Sequence, residues 1–183
     1  MKSLIIVGSP PSETSFCIKL SEQLKHLRGV NGEVQLINIF DNQWHLSPYF
    51  HNNDEVVNKL KNLIDASDRV IFVHPLWWGG MPGALKNLID LVLTPGYAFS
   101  YRSNSTRMFG LLPEGLMKGK SAEVWITGDT PGWLYRVIGM PFLRIWKYSV
   151  LVFCGFKTET LRYIGGLKNL SKEEKSIILE SIV

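Results

Sequence analysis

The stretch Val70-Ile71-Phe72-Val73-His74-Pro75-Leu76-Trp77-Trp78-Gly79-Gly80-Met81-Pro82 decides how this chain folds. Its first half is a short apolar run, the pattern of a strand buried on both faces. Pro82 then opens a helical segment, Pro82 to Leu93. Proline suits that position because its fixed φ and missing N–H cost nothing in a first turn. A strand that runs into a helix points backbone N–H groups and loop side chains into one crevice. Two adjacent indoles and a glycine pair at this junction fit a flat aromatic ring lying against backbone. The alternative is two core aromatics covering the end of a sheet.

The same strand-then-helix unit recurs on either side. Leu4-Ile5-Ile6-Val7 is an unbroken apolar strand ended by Gly8. Ser12 to Arg28 then carries Phe16, Leu20, Leu24 and Leu27 at helical spacing, and Gly29 stops it. Val34, Leu36 and Ile39 mark a second strand, and Asn42 to Asn53 reads as an aperiodic loop. Asp54 can cap a helix running to about Ala66, with Val57, Leu60 and Ile64 on one stripe. Tyr97 to Met117, rich in Gly, Pro, Ser and Asn, reads as a long loop. Ala122 to Thr127 is a fourth strand, Pro141 to Cys154 a helical segment, and Lys157 to Ile164 a fifth strand. Ser171 caps a last helix, Lys172 to Ile182, with Glu174 completing a capping box. This alternation predicts a three-layer α/β fold, a parallel five-stranded sheet with helices on both faces. One domain over residues 1–183 is expected, because the length suits a single buried core.

Composition narrows the classes of function. Hydrophobic residues make up 45% and charged residues 20%, the balance of a globular protein. No apolar run reaches a membrane span, since Arg136, Pro141 and Arg144 interrupt the aromatic stretch Trp133 to Trp146. The chain enters its first strand at once, which leaves no room for a signal peptide and predicts a cytoplasmic location. Cys17 and Cys154 have no metal-ligand spacing and sit among apolar residues, so buried thiols and no metal are expected. The net charge of +4 is spread along the chain, with Lys118-Gly119-Lys120 its densest cluster. That is too thin for nucleic acid, although a mild positive field suits anionic phosphates.

Three loops carry the chemistry. Gly8 to Phe16 joins the first strand to the first helix and lacks both the G-x-G-x-x-G fingerprint and the phosphate-loop pattern. It offers instead the hydroxyls of Ser9, Ser12, Thr14 and Ser15 at the positive end of a helix. Such a loop is either an anion site or an ordinary hydroxyl cap. The second loop is the Trp77–Trp78 segment. In a flavodoxin-like strand order 2-1-3-4-5, the first and third strands flank the switch point where ligands bind. The third loop is Thr127-Gly128-Asp129-Thr130-Pro131-Gly132-Trp133, where Gly128 lets backbone approach a ring and Asp129 can cap a turn. One phosphate-friendly loop and two able to hold a planar ring describe a flavin mononucleotide site.

Ser-Pro-x-x-x-x-Ser-Phe in the first loop, Pro-Leu-Trp-Trp-x-x-Met-Pro-x-x-Leu-Lys in the second, and Gly-Tyr-Ala-Phe-Ser-Tyr at Gly96 to Tyr101 resemble the flavodoxin-like NAD(P)H:quinone oxidoreductases. The resemblance runs from Leu4 to about Phe156, and its most specific motif is Pro75 to Lys86. It implies FMN, or FAD, as cofactor and NAD(P)H as hydride donor. A quinone or similar acceptor would be reduced, in a homodimer with the flavin at the subunit boundary. By the same resemblance Ser9, Ser15, Phe16 and Cys17 match the phosphate and ribityl end. Pro75, Leu76, Trp77 and Trp78 match the segment along the isoalloxazine ring, and Gly128 with Asp129 the third loop. Backbone N–H groups of residues 77 to 79 would face the ring, with Gly79 leaving space above it. Where some members carry Gly-Gly followed by Tyr and His, this chain has Gly128-Asp129-Thr130-Pro131 and no such His. Tyr135 is then a candidate proton donor. His74 either polarises the flavin edge or is a satisfied core imidazole. Two other functions use the same fold: a one-electron flavodoxin-type carrier, and a flavin-binding regulatory subunit of a membrane transport system. The basic chain and the Ser-Pro loop depart from the acidic carriers.

Overall fold

A computed structural model describes residues 1–44, 46, 54–101 and 113–182. The first three strands are β1 (Lys2–Val7), β2 (Glu33–Asn38) and β3 (Arg69–Pro75). Two short strands follow, β4 (Phe99–Ser100) and β5 (Glu114–Gly115), then β6 (Ser121–Thr127) and β7 (Lys157–Ile164). The long strands form one parallel sheet in the order β2-β1-β3-β6-β7, while β4 and β5 pair antiparallel on their own. The expected numbering 2-1-3-4-5 is therefore corrected to 2-1-3-6-7. A two-residue strand has no period to read, and the long loop expected over Tyr97 to Met117 conceals two of them. Residues 102–112 of that loop, and 45 and 47–53 of the earlier one, lie outside the described residues.

Alternate residues of the central strands supply two cores. Leu4, Ile6, Val70, Phe72, Val124 and Ile126 face α2 (Asp54–Asp65), α3 (Gly83–Val92) and the helical stretch 141–154. Ile5, Val7, Ile71, Val73 and Trp125 face α1 (Phe16–Gly29) and the C-terminal segment around Ile182. Each such side chain, fully buried, contributes about 1.5–3 kcal/mol. Apolar residues on both faces explain why these strands read as continuous runs rather than alternating ones.

Local chemistry sets the ends of the elements. Helix α1 starts at Phe16 rather than Ser12, because Ser15 is its N-cap and its hydroxyl accepts from the Ile18 N–H. Ser12 instead folds back, its hydroxyl meeting Thr14 Oγ1 at 3.0 Å and accepting the Thr14 N–H. This local bonding competes with helix. The stretch 141–154 consists of α5 (Pro141–Arg144), a π-helical segment Ile145–Leu151, and α6 (Val152–Cys154), preceded by α4 (Gly132–Val137). The last helix, α7 (Lys172–Glu180), carries the expected capping box between Ser171 and Glu174. Among the described residues, no helix is long and apolar enough to cross a membrane.

Candidate functional site

All three chemistry-bearing loops leave the carboxyl edge of the sheet, and hydrogen bonds tie them into one frame. Gly8 N–H donates to the Val73 carbonyl at 2.8 Å, and Leu76 N–H to Thr127 at 2.7 Å. The Asn38 amide donates to the Ser9 carbonyl at 3.1 Å while its oxygen accepts from Phe40 N–H at 3.0 Å. The first loop is thus held from the end of β2. Within it, Ser9 Oγ lies 3.2 Å from Ser15 Oγ, both at the mouth of α1. The N–H groups of Phe16 and Cys17, in the first turn of α1, have no backbone acceptor among the described residues. They point an uncompensated positive helix end at the loop.

The second loop closes through a tight turn. Trp77 N–H donates to the Gly80 carbonyl at 3.0 Å, and Gly80 N–H returns to the Trp77 carbonyl at 2.9 Å. The two central residues both have positive φ, Trp78 at 51° and Gly79 at 76°, the signature of a type I′ turn. Glycine is at ease there, but a tryptophan in the left-handed region stores strain of roughly 1–3 kcal/mol. Trp78 is fully exposed at the tip, whereas Trp77 is half-exposed and faces the cavity. Trp77 N–H is engaged in the turn; those of Trp78 and Gly79 have no backbone acceptor among the described residues.

Between the loops lies an open cavity of about 290 Å³. The first loop and α1 contribute Ser9, Thr14, Ser15, Phe16 and Cys17 to its lining; the second and third loops contribute Pro75, Leu76, Trp77, Gly128 and Asp129. Cys17 Sγ meets Thr127 Oγ1 at 2.8 Å in its floor. Burial pushes the Cys17 thiol up to about 11, against the lowering effect of hydrogen bonds to Thr127 and Ser9. It is therefore neutral and inert at neutral pH. The cavity so collects Ser9, Ser15, Phe16, Cys17, Pro75, Leu76, Trp77, Gly128 and Asp129, and leaves Trp78 and Gly79 on its rim.

His74 and Tyr135 do not line it. His74 is wholly buried and turns to the opposite face of β3. Trp146 Nε1, which can only donate, gives its hydrogen to His74 Nε2 at 2.9 Å. The imidazole proton therefore sits on Nδ1 and is donated to the Pro75 carbonyl at 2.8 Å. Burial lowers His74 to about 4, opposed by that bond to Pro75, so the ring is neutral and both nitrogens are engaged. Tyr135 is half-buried, its ring edge-on to Tyr163 and Phe142 beneath the third loop.

Lys168 and Lys175 also line the cavity, and the sequence reading passed over both. Their signal was the capping box at Ser171. In a parallel sheet a helix that follows a strand starts at the carboxyl edge, so α7 brings its first turns to the loops. The lining thus carries two ammonium groups against one carboxylate, Asp129.

A crevice at the carboxyl edge of a parallel sheet, lined by hydroxyls, two lysines and an indole, is where open α/β proteins of this class bind ligands. The chain belongs to the family described as flavodoxin-like fold, which matches residues 1–180. Among curated proteins it is 32% identical over 123 residues to ribosyldihydronicotinamide dehydrogenase [quinone] of Mus musculus, covering 64% of this chain and 50% of that protein. It is 27% identical over 140 residues to FMN-dependent NADH:quinone oxidoreductase 2 of Listeria innocua, covering 73% and 60%. The chain spans about half the length of the mammalian relatives it matches. The crystal structure of Smu.1420 from Streptococcus mutans UA159 superposes with a TM-score of 0.81 at 25% identity, covering 98% of this chain and 95% of that one.

Proposed function

We propose that this protein is a flavin-dependent oxidoreductase that passes reducing equivalents from NAD(P)H to a quinone or a similar small acceptor. The observation that carries the reading is the union, in one cavity, of the Ser9 and Ser15 hydroxyls and two lysines with the Trp77 indole. FMN fits this donor set: its phosphate would lie between the Phe16 and Cys17 N–H groups, the Ser9 and Ser15 hydroxyls, and Lys168 with Lys175. When bound, it supplies the two-electron chemistry that no side chain here can perform. The relatives named for FMN and for quinone reduction support the same assignment.

The chain's own residues then have distinct tasks. Trp77 forms a wall for the ring, while the Trp78 and Gly79 N–H groups are the free donors at the turn. Gly128 lets the third loop come close. His74, locked between Trp146 and Pro75, is assigned to holding the second loop rather than to contact with the ring. For the proton that acceptor reduction consumes, Tyr135 is the proposed source. The cavity is open, and the surface exposes Trp133, Leu134 and Val137 of α4 and Ile138 just after it, with Ile145 and Tyr148 beyond. So much apolar surface on one short segment supports a homodimer whose second copy covers it.

The test is direct. Purified protein is denatured to release its cofactor, and the intact protein is assayed for NAD(P)H oxidation with quinone, azo and nitro acceptors. FMN in the extract and turnover with free quinone are expected. A colourless protein that ignores added FMN would falsify the reading.

A further inference from the structure

The third loop does not hold its own shape. It is clasped by the segment that follows β7, Tyr163-Ile164-Gly165-Gly166-Leu167, at four hydrogen bonds. Gly128 N–H donates to the Ile164 carbonyl at 2.9 Å, and Leu167 N–H to the Gly128 carbonyl at 3.2 Å. The Thr130 carbonyl accepts twice, from Gly166 N–H at 3.1 Å and from the Tyr163 hydroxyl at 2.7 Å. Two donors saturate that oxygen and fix the Thr130–Pro131 peptide plane, one residue beyond Asp129.

The side chains at this contact leave no slack. A Cβ on Gly128 would lie 2.6 Å from the Tyr163 hydroxyl oxygen, so only glycine lets the loop rest on the phenol. A Cβ on Gly165 would collide with the Thr130 carbonyl oxygen and come within 3.0 Å of Gly132 N. The Tyr163 ring is itself wedged, edge-on to Tyr135 at 5.4 Å and tilted against Phe142 at 5.1 Å. The clasp continues directly into Leu167 and Lys168, which line the cavity together with Gly128 and Asp129.

From this geometry we infer that Tyr163 is a positioning residue: its hydroxyl, through the Thr130 carbonyl, sets where Gly128 and Asp129 stand in the cofactor cavity. The inference rests on the flavin reading for its consequence but not for its mechanics. Burial, joined by the charges of Tyr135 and Asp129, pushes the phenol up to about 12, so it stays a donor throughout the neutral range.

Tyr163→Phe keeps the ring and removes the donor. Tyr97→Phe is the matched control, since the Tyr97 hydroxyl also anchors backbone, at the Lys61 carbonyl and Asp65, but away from the cavity. Each loses one anchoring hydroxyl, so a comparable small drop in thermal stability is expected of both. Only Tyr163→Phe should speed amide exchange in peptides spanning 128–137 of the FMN-free protein, by at least ~3-fold, and raise the FMN dissociation constant roughly 3–10-fold, the scale of one hydrogen bond. It should also shift the visible circular dichroism of bound flavin. Unchanged exchange across 128–137 would overturn the clasp. Faster exchange with unchanged FMN affinity and flavin spectrum would overturn the positioning role. Should wild-type protein ignore FMN altogether, the flavin reading fails, and with it the consequence drawn for the cavity, while the exchange comparison still decides the clasp.

Discussion

The two ends of the sheet are built on opposite plans. At the amino end, Glu123 is buried on β6, and two arginines and an indole gather on its carboxylate. Arg28 donates from Nε and Nη2 to the two oxygens, both at 3.2 Å, and Trp125 Nε1 donates at 2.9 Å. Arg69 adds its charge with Nε at 3.4 Å, too poorly aligned to count as a hydrogen bond, and reaches Glu159 at 2.7 Å. At the carboxyl end the backbone N–H groups of Phe16, Cys17, Trp78 and Gly79 have no backbone acceptor among the described residues, and a tryptophan sits in the left-handed region. One end gathers its charges inward on a buried carboxylate, and the other leaves backbone donors facing a cavity at some cost in stability. Arg28 lies in the last turn of α1, so a single helix has its cation at the structural end and its bare N–H groups at the site.

The largest expected break in this contrast is at Glu123. Glu123→Ala takes both acceptors from the Arg28 guanidinium and the acceptor from the Trp125 indole N–H, leaves Arg69 only Glu159, and should cost about 3–5 kcal/mol. Urea unfolding measures that loss, and FMN titration at low temperature measures the site. Affinity within about twofold of wild type is expected in the folded fraction, since the measured energies of distant sites are nearly independent. A parallel collapse of FMN binding would show that the two ends are one cooperative unit.

Acid should act on the site end through His74. Its folded-state value of about 4 lies below the ordinary 6.5, so the unfolded chain binds the proton more readily. The group's contribution is therefore complete above about pH 6.5 and is lost as pH falls toward 4, about 3 kcal/mol in all. Unfolding free energies measured from pH 7 to pH 4 should show that slope, and His74→Gln should flatten it. An unaltered slope in the variant would remove His74 from the account. Next in size is Ser15→Glu, which puts a carboxylate against the proposed phosphate. FMN affinity should fall ~100-fold, about 2.7 kcal/mol, whereas the altered helix cap should change folding stability by about 1 kcal/mol. Wild-type affinity in Ser15→Glu would move the anion site elsewhere.

The sequence made the sheet legible because its strands lie under helices on both sides, and burial on two faces writes itself as uninterrupted runs such as Leu4 to Val7 and Val70 to Val73. The first two loops were legible as candidates because hydroxyls crowd the start of a helix and a Trp-Trp-Gly-Gly run follows a buried strand, although which hydroxyl caps, Ser15 and not Ser12, was not. Lys168 and Lys175 were not, since a lysine near a cap looks the same whether it meets solvent or a cavity. Which way His74 turns depends on Trp146, 72 positions away in the chain. The clasp on Thr130 joins residues 33 apart and leaves only a Gly-Gly pair as its trace. The π-helical segment 145–151 needs one extra residue per turn, which the three-and-four spacing of Leu143, Trp146, Val150 and Phe153 does not disclose.

The smallest effects sharpen the contrast inside a single turn. Trp77 and Trp78 are neighbours of the same type, yet only Trp77 lines the cavity, and only Trp78 has positive φ. Trp77→Ala should therefore weaken FMN binding roughly tenfold, about 1.4 kcal/mol, through loss of a ring contact, with little change in unfolding. Trp78→Gly should do the reverse. Glycine relaxes the left-handed backbone, so stability should rise by up to about 1 kcal/mol, less the entropy that glycine adds to the unfolded chain. FMN affinity should then stay within about threefold, because an indole wholly in solvent has little to lose. Trp78→Ala is the discriminating third variant, since it removes the same indole but keeps the strained φ. If Trp78→Ala weakens FMN as much as Trp77→Ala does, the exposed indole folds over the bound ring, and the turn's strain belongs to ligand capture rather than to the second loop's resting shape.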